Sequence, residues 1–247
     1  MGMKSSIEWT EATWNPVTGC TKTSAGCANC YAKRIARRLQ AMGQPNYANG
    51  FELTLHEKAL CLPLKWKTPQ RVFVNSMSDL FHDRVPEEFI LRVFEIMGRA
   101  SWHQYQILTK RSGRLRELDP SLPWEPNIWM GVSVESQEYV TRIDDLRSTH
   151  AALKFVSFEP LLGPVSNLDL TGISWAIVGG ESGPKARPMR KEWVTQIRDS
   201  CRETGVAFFF KQWGGVNKKA NGRRLDGQTW DDMPPAANEL SLQLPLA

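Results

Sequence analysis

Short runs of apolar residues recur along the chain, and polar residues follow each run at once. Six of these runs are nearly continuous in apolar character, which is the pattern of parallel strands buried on both faces. We therefore predict strands at 71–74, 105–108, 128–132, 154–156, 174–178 and 206–210. A further strand is expected within the initial segment, 7–17.

Helical periodicity fills the gaps between these runs. The segment 87–100 places apolar residues at 89, 90, 93, 94 and 97, which form one helical stripe after Pro86. Segments 32–42, 137–146 and 191–203 also read as helices. Strands that alternate with helices predict an α/β fold with a parallel sheet. Six or seven such units are too few for a closed eight-stranded barrel, so we expect a partial (β/α)6 TIM-like barrel.

No repeat, low-complexity tract or long linker divides the sequence. Its 247 residues suit a single domain, with a C-terminal extension at about 226–247 that contains two adjacent prolines. No apolar stretch approaches the ~20 residues of a membrane span, and the first nine residues lack the apolar core of a signal peptide. We expect a cytoplasmic protein with no membrane partner.

Three cysteines lie close together in the sequence GCTKTSAGCANCYA. Cys20, Cys27 and Cys30 have the spacing C-x6-C-x2-C. Gly19 and Gly26 precede the first two and let the loop bend so that the sulfurs approach one centre. The chain has five cysteines in all, an odd number, which argues against a disulfide framework. Thiolates in such a loop bind zinc or an iron–sulfur cluster.

The number of ligands separates these two kinds of centre. A closed zinc site needs four protein ligands, and the fourth here would be Cys61 or His56, both far along the chain and outside any recognisable zinc motif. A 4Fe–4S cluster on three cysteines keeps one iron free to bind the amino and carboxylate groups of S-adenosylmethionine. An electron passed to the sulfonium then breaks a C–S bond and gives a 5′-deoxyadenosyl radical. The missing fourth ligand favours the cluster, and the alternatives are a zinc site or three unrelated free thiols.

Polar residues follow every predicted strand. Ligands of parallel α/β folds bind at the carboxyl ends of the strands, so these residues are expected to form one active-site rim. Strand ends that only meet solvent would also be polar. The segments concerned are 75–79, 109–111, 133–136, 157–159, 179–182 and 211–213.

Three charged residues of this rim are candidate catalytic groups. Glu135 and Glu159 end adjacent strands, and paired carboxylates can hold an amine or share a proton. The alternative is an ion pair of either carboxylate with Lys110 or Lys211. Lys110 and Arg111 can also bind a cofactor carboxylate or a substrate phosphate.

Other rim residues suit the organic cofactor. Gly179, Gly180 and Glu181 combine close backbone approach with a carboxylate for ribose hydroxyls, an ammonium group or a substrate. The alternative is a plain glycine turn with a surface glutamate. Tyr31 and Trp213 can stack on adenine or on a substrate base, or belong to the core.

The charge balance points to a further partner without identifying it. The formal net charge is +5 and the pI is about 9.0, which suits nucleic acid. The densest basic run, KRIARR at 33–38, has helical spacing, and its simplest interpretation is a solvated helix face.

Several motifs together resemble a known family. TWNPVTGC, GCANCYA, VNSMSDLF, FEPLLGP, IVGGESGP and FFFKQWGG are similar to a phage-encoded three-cysteine family of unknown function, over about 9–234. That family is similar to radical S-adenosylmethionine enzymes, with spore photoproduct lyase as one relative in architecture. The usual motif there is C-x3-C-x2-C, so the longer first gap of this chain is a departure.

The resemblance implies a radical S-adenosylmethionine enzyme that holds a 4Fe–4S cluster on the three cysteines and takes electrons from a reductant such as flavodoxin. In such enzymes the strand end corresponding to Ser76, Ser78 and Asp79 holds the methionine amino group. The resemblance also implies DNA or a modified nucleotide as partner. The reaction would be an isomerase rearrangement of an amino-acid-decorated thymine in phage DNA hypermodification, or a base-repair lyase reaction. The competing hypothesis is a non-catalytic zinc module that docks on nucleic acid.

Overall fold

The structure is a computed structural model that describes residues 3–5 and 7–235. Its centre is a sheet in which seven parallel strands curl into a half-barrel, in the order β1-β2-β5-β6-β7-β8-β9-β10 with only β1 antiparallel. Strands β3 and β4 form a separate antiparallel pair. The strands are β1 (Met3–Lys4), β2 (Ala12–Trp14), β3 (Val17–Thr18), β4 (Thr54–Leu55), β5 (Arg71–Val74), β6 (Gln104–Thr109), β7 (Ile128–Ser133), β8 (Leu153–Phe158), β9 (Trp175–Gly179) and β10 (Ala207–Gln212).

Helices connect these strands, and several of them pack on the outer face of the sheet. They are α1 (Tyr31–Ala41), α2 (Glu57–Leu60), α3 (Glu87–Arg99), α4 (Ser112–Leu118), α5 (Thr141–Arg147), α6 (Lys191–Thr204) and α7 (Lys218–Asn221). Short 3₁₀ turns lie at Ala25–Cys27, Pro45–Tyr47, Pro63–Lys65, Asp119–Ser121 and Gln137–Tyr139. None of the helices in the described residues is long and apolar enough to cross a bilayer.

The partial barrel expected from the sequence is confirmed. All six strand runs fall on β5 to β10. The initial segment supplies β2, which pairs in parallel with β5 and is the seventh parallel strand. One predicted helix, 137–146, divides into a 3₁₀ turn and α5.

Local sequence explains the two longest helices. In α3 the residues of the apolar stripe are buried, and Pro86 stands immediately before the first turn, where its missing N–H costs no hydrogen bond. Helix α6 ends at Gly205, whose φ of +71° is the left-handed conformation that glycine adopts without strain.

The two faces of the sheet bury different side chains. The outer face packs with the apolar stripes of α3, α5 and α6 in one large core. The inner, concave face holds a second core made mainly of aromatic rings. Gly131 of β7 leaves room for one of these rings, because a Cβ there would lie 2.4 Å from Cε2 of Phe155.

The start of the predicted C-terminal extension covers the edge of β10. Residues 230–232 run beside this strand, where the backbone N–H of Phe210 donates to the carbonyl of Trp230 at 2.9 Å. Asp231 and Phe209 form an antiparallel bridge. Since an open strand edge invites pairing with another chain, this segment protects the sheet. The remainder of the extension, 236–247, lies outside the described residues.

Candidate metal and cofactor site

The inner face of the half-barrel changes character along its strands. Alternate residues of each strand point inward, and the register places them in layers. The layer near the amino ends, here called the floor, contains Trp9, Phe73, Trp129, Phe155, Trp175 and Phe209. The layer at or just past the carboxyl ends, here called the rim, contains Lys110, Glu135, Glu159, Glu181 and Lys211.

The three cysteines lie in a segment that spans 19–30, here called the cysteine loop. All three are half-buried free thiols. Gly19 has a φ of +82°, and a Cβ there would lie 2.1 Å from the carbonyl oxygen of Glu52. A Cβ at Gly26 would lie 2.4 Å from Oε1 of Glu135. Both glycines that precede a cysteine are therefore required by the packing of the loop.

Arg111, which follows β6, is the first anchor of the cysteine loop. One guanidinium nitrogen donates to Sγ of Cys20 at 3.6 Å and to Oδ2 of Asp79 at 3.1 Å. The other donates to the carbonyl and hydroxyl oxygens of Thr21, at 3.2 and 3.0 Å. The hydroxyl of Thr21 is also 2.9 Å from Nε2 of His82. The start of the loop is thereby fixed to the ends of β5 and β6.

Glu135, which follows β7, is the second anchor and is fully buried. Its Oε1 accepts from the hydroxyl of Ser24 at 2.5 Å and lies 3.2 Å from Nζ of Lys110. Its Oε2 accepts from Arg142 of α5 at 2.9 Å. Two cations and a hydroxyl therefore compensate the buried carboxylate, as burial of a charge requires. The middle of the loop, close to Cys27, rests on this group.

Glu181 and Arg187, on the segment after β9, form the third anchor. Nη2 of Arg187 donates to Oε1 of Glu181 at 2.5 Å and to the carbonyl of Ala25 at 3.0 Å. The Asn29 side chain donates to Oε2 of Glu181 at 3.0 Å. Burial alone would raise the pKa of Glu181, but the bonds from Arg187 and Asn29 outweigh burial and lower it. The third anchor holds the loop on both sides of Cys27 and just before Cys30.

The surroundings of two thiols differ. Burial and the charge of Asp79 raise the pKa of Cys20 to about 11, although Arg111 acts in the opposite direction. Burial also acts to raise the pKa of Cys27, but backbone N–H bonds from Thr23 and Ser24 outweigh it and lower the pKa. Cys27 is therefore the more readily ionised of the two in the metal-free protein.

Glu159, the other candidate catalytic carboxylate, has its own cation. Both of its oxygens accept from Nζ of Lys211, at 2.8 and 3.0 Å, and Oε1 also accepts from Gln212 at 3.1 Å. A Cβ at Gly179 would lie 3.2 Å from Cδ of Glu159. Each candidate carboxylate therefore forms the ion pair that was the alternative to a catalytic role: Glu135 with Lys110, and Glu159 with Lys211. The Glu159 side chain keeps 22% exposure, whereas Glu135 has none.

The three candidates for the methionine amino group all bond to nearby protein groups. Oγ of Ser76 donates to Asn15 at 3.2 Å, and Oγ of Ser78 donates to the carbonyl of Val17 at 2.9 Å. The carboxylate of Asp79 belongs to the first anchor. The two serine bonds join the end of β5 to the segment just before the cysteine loop, and a direct role of the three residues in cofactor binding stays a prediction.

The candidates for adenine and ribose lie on the same rim. Tyr31 is 42% exposed, and its hydroxyl donates to the carbonyl of Ser76 at 2.5 Å. A Cβ at Gly180 would lie 2.1 Å from the carbonyl oxygen of Trp213, so close packing alone accounts for this glycine. The indole of Trp213 packs against Phe210 at 4.9 Å between ring centroids. Stacking on a base by Tyr31 or Trp213 stays a prediction.

Sequence reasoning missed the partners that connect the rim to the loop. Ser24 and Asn29 lie within the loop, while Arg142 and Arg187 lie on other elements. No local pattern in the sequence marks these four residues. The burial of Arg142 on α5, which requires a buried acceptor, is visible only in the structure.

The donor set fits a thiolate-bound metal centre in its chemistry. Three free thiols share one loop, and N–H groups or cations face two of them. Across 3–5 and 7–235, no three His, Cys, Asp or Glu side chains stand close enough to form a ready metal site, so metal binding requires the sulfurs to converge. The same holds for the zinc alternative: Nε2 of His56 lies 2.8 Å from the Thr18 hydroxyl, and Cys61 is exposed.

Fold and site together define an α/β half-barrel protein with a three-thiol loop at the carboxyl rim. The chain belongs to the family described as a protein of unknown function, DUF5131, which matches residues 4–234. No curated protein matches the sequence significantly.

Solved structures of spore photoproduct lyase share the fold. The enzyme complexed with dinucleoside spore photoproduct has a TM-score of 0.51 at 13% identity, over 82% of this chain and 75% of that chain. A cysteine-to-alanine variant with the same dinucleoside has a TM-score of 0.51 at 14% identity, over the same shares of both chains. At this identity the similarity establishes the fold alone.

Proposed function

We propose that this protein is a radical S-adenosylmethionine enzyme that acts on a base in nucleic acid. One observation carries the proposal: three free thiols lie in a single loop that the ends of three parallel strands anchor at the rim of a half-barrel. A loop that served only as a surface turn would not need three buried or half-buried charged anchors.

Cys20, Cys27 and Cys30 would hold a 4Fe–4S cluster, and rim groups would hold S-adenosylmethionine. When bound, the cluster and S-adenosylmethionine supply a 5′-deoxyadenosyl radical for hydrogen-atom abstraction, with an electron from a reductant of the flavodoxin type. The chain itself supplies the dry surroundings that such chemistry needs, because the aromatic floor closes the inner face beneath the rim.

Among the rim carboxylates, Glu159 is the best candidate to face the substrate. Glu135 and Glu181 each bond to the cysteine loop, and their side chains are 0% and 4% exposed. Glu159 bonds instead to Lys211, and both side chains of this pair keep some exposure. The pair can therefore exchange its partner for charged or polar groups of a substrate.

A basic surface beside the site supports a nucleic-acid substrate. Arg34, Arg37 and Arg38 of α1 are exposed, and the described part of the chain offers Arg37 and Arg38 no carboxylate within ion-pair distance. The guanidinium of Arg34 lies against Gly183, where a Cβ would be 2.3 Å from Nη1. Helix α1 begins directly after the last cysteine, so this charge can bind backbone phosphates next to the site.

Two reactions fit this substrate class. The likeness to spore photoproduct lyase favours a lyase that repairs a modified base, since that enzyme is seen with a dinucleoside photoproduct. The resemblance to the three-cysteine phage family favours an isomerase acting on an amino-acid-decorated thymine. Mass spectrometry of digested nucleosides separates the two, because a rearrangement keeps the mass of the modified nucleoside, whereas a lyase that splits a linked dinucleoside releases two single nucleosides in its place.

Anaerobic reconstitution tests the cofactor. The wild-type chain should bind about four irons and release 5′-deoxyadenosine after reduction with S-adenosylmethionine present. Cys27→Ala should lose the iron, whereas the control Cys61→Ala, which removes an exposed thiol outside the loop, should keep it. Uptake of about one zinc and no iron would favour the non-catalytic docking module and overturn the proposal.

The salt dependence of DNA binding tests the basic surface. Replacing Arg34, Arg37 and Arg38 by Gln should weaken binding and reduce the slope of log K against log salt by about one per lost phosphate contact. The matched control replaces three exposed arginines of other helices, Arg99, Arg116 and Arg202, by Gln. Equal losses in both triple variants would indicate general charge attraction and no defined surface.

A further inference from the structure

Arg111 makes a contact that a loop anchor alone does not require. Its guanidinium lies 3.6 Å from Sγ of Cys20, within hydrogen-bonding distance for sulfur, and only 8% of the residue is exposed. Two further bonds to Thr21 already hold the backbone and side chain of the adjacent residue. The N–H directed at the sulfur is therefore additional to the bonds that fix the loop.

Asp79 fixes the orientation of this guanidinium through an ion pair. Oδ1 of Asp79 accepts from the Thr109 hydroxyl at 2.7 Å and from the backbone N–H of Phe81 at 3.0 Å. Oδ2 accepts from the backbone N–H of Lys110 and from Arg111, each at 3.1 Å. Because four donors hold the carboxylate, Asp79 cannot turn away, and the guanidinium that it binds stays aimed at the thiol.

The first cysteine thus differs from the second in what faces its sulfur. The groups that hydrogen-bond Sγ of Cys27 are the uncharged hydroxyls of Thr23 and Ser24, at 4.0 and 3.7 Å, and the charge of Lys110 acts on this thiol without a direct bond to it. Cys20 has a buried cation whose charge is permanent at any physiological pH. Hydrogen bonds to ligand sulfurs and nearby charge are the means by which a protein sets the reduction potential of an iron–sulfur centre.

We propose that Arg111 is a positioning residue that stabilises negative charge on the Cys20 sulfur and so retains the metal centre and raises its reduction potential. The proposal rests on the proposed function, since it assigns a role toward the cluster of that same site. Asp79 then acts through Arg111 by orienting its guanidinium, whereas the resemblance assigned this carboxylate to the cofactor amino group.

The experiment compares reconstituted wild type with Arg111→Lys and Arg111→Met. The affinity for iron should fall about 10–100-fold in Arg111→Met, as for other groups that support a metal ligand, and iron loss to a ferrous chelator should be correspondingly faster. A potentiometric titration followed by electron paramagnetic resonance should show a more negative midpoint potential. Arg111→Lys keeps a cation for Asp79 and so protects the fold, but it cannot reach Thr21 and the sulfur together, and we expect an intermediate potential.

Thr21→Val is the matched control for a purely structural effect. It removes the hydroxyl that accepts from Arg111 and leaves the contact to Sγ of Cys20, so iron loss can change while the potential stays at the wild-type value. If wild type loads iron and both Arg111 variants keep its potential and its rate of iron loss, this proposal is wrong and the proposed function stands. If wild type takes up no iron, the proposed function fails and this proposal fails with it.

Discussion

The floor and the rim occupy the two ends of the same strands and use them differently. Floor residues are apolar rings that touch one another: Trp175 contacts Trp9, Trp129 and Phe209 with ring centroids about 6 Å apart. The rim is charged, and Glu135 and Glu181, together with the neighbouring Arg111, contact a loop from another part of the chain. The floor therefore contributes stability through burial, and the rim determines where the thiols are held.

Mutations in the floor and in the rim should therefore have different effects. Truncation of a floor side chain should lower the free energy of unfolding, and the site should stay intact in the molecules that fold. Substitution of a rim residue that anchors the loop should weaken both folding and metal binding, because the buried groups that it contacts lose their partner. The predictions below follow from this contrast.

Trp175→Ala should have the largest effect on stability. The ring is fully buried at the centre of the floor, and its Nε1 donates to the carbonyl of Asp232 at 2.9 Å. We expect the free energy of unfolding to fall by about 3–5 kcal/mol, measured by urea denaturation. Trp102→Ala, at a ring that is 41% exposed, is the control and should cost far less. Equal losses would contradict the role of the floor.

Glu135→Gln compares two carboxylates within the rim. Loss of the charge leaves Lys110 and Arg142 without their buried partner, so we expect a loss of about 3 kcal/mol together with poor iron retention. Glu159→Gln should cost only about 1 kcal/mol, because the pair with Lys211 is partly exposed, and should keep the iron while impairing turnover. Urea denaturation and iron content measure both. The assignment of Glu159 to substrate is wrong if the two variants behave alike.

The floor and the rim also differ in how far the sequence predicts them. The apolar runs predicted the parallel strands and the partial barrel, because strands buried on both faces must be apolar throughout. They could not show which face a given aromatic ring occupies, since Trp129 and Ile128 look alike in a continuous run. That difference depends on the register and curl of the whole sheet.

For the rim, the sequence predicted the types of residue and not their partners. Each of Glu135, Glu181 and Arg111 was a candidate for direct chemistry because it follows a strand. Their bonds to the cysteine loop join residues separated by 91 to 152 positions. Such pairings arise only when the barrel closes around the loop, so no local pattern contains them.

Gly26→Ala tests how tightly the loop rests on the rim. A Cβ would meet Oε1 of Glu135 at 2.4 Å, and because that carboxylate is fixed by two cations it cannot move aside. We expect a loss of about 1–3 kcal/mol from overpacking, with faster iron release. Gly113→Ala is the matched control: a Cβ there meets nothing within 4 Å, and the change within α4 should stabilise the protein by about 0.5–1 kcal/mol. Unfolding curves in which both changes are neutral would show that the loop moves freely over Glu135.

Acid should weaken the third anchor, and its effect on stability should be the smallest of the four predicted in this section. The pKa of Glu181 is lowered in the folded protein: burial raises it, and the bonds from Arg187 and Asn29 more than compensate. A carboxyl group with a lowered folded pKa stabilises the fold above its ordinary pKa of about 4.3, and this contribution is lost as the pH falls through the folded pKa. The difference in unfolding free energy between wild type and Glu181→Gln should therefore be largest near neutral pH and shrink on acidification.

Glu95→Gln, at an exposed position of α3, controls for the loss of one carboxylate. A difference that grows in acid would mean that Arg187 does not stabilise the ionised form, and the loop would then depend on the first two anchors alone.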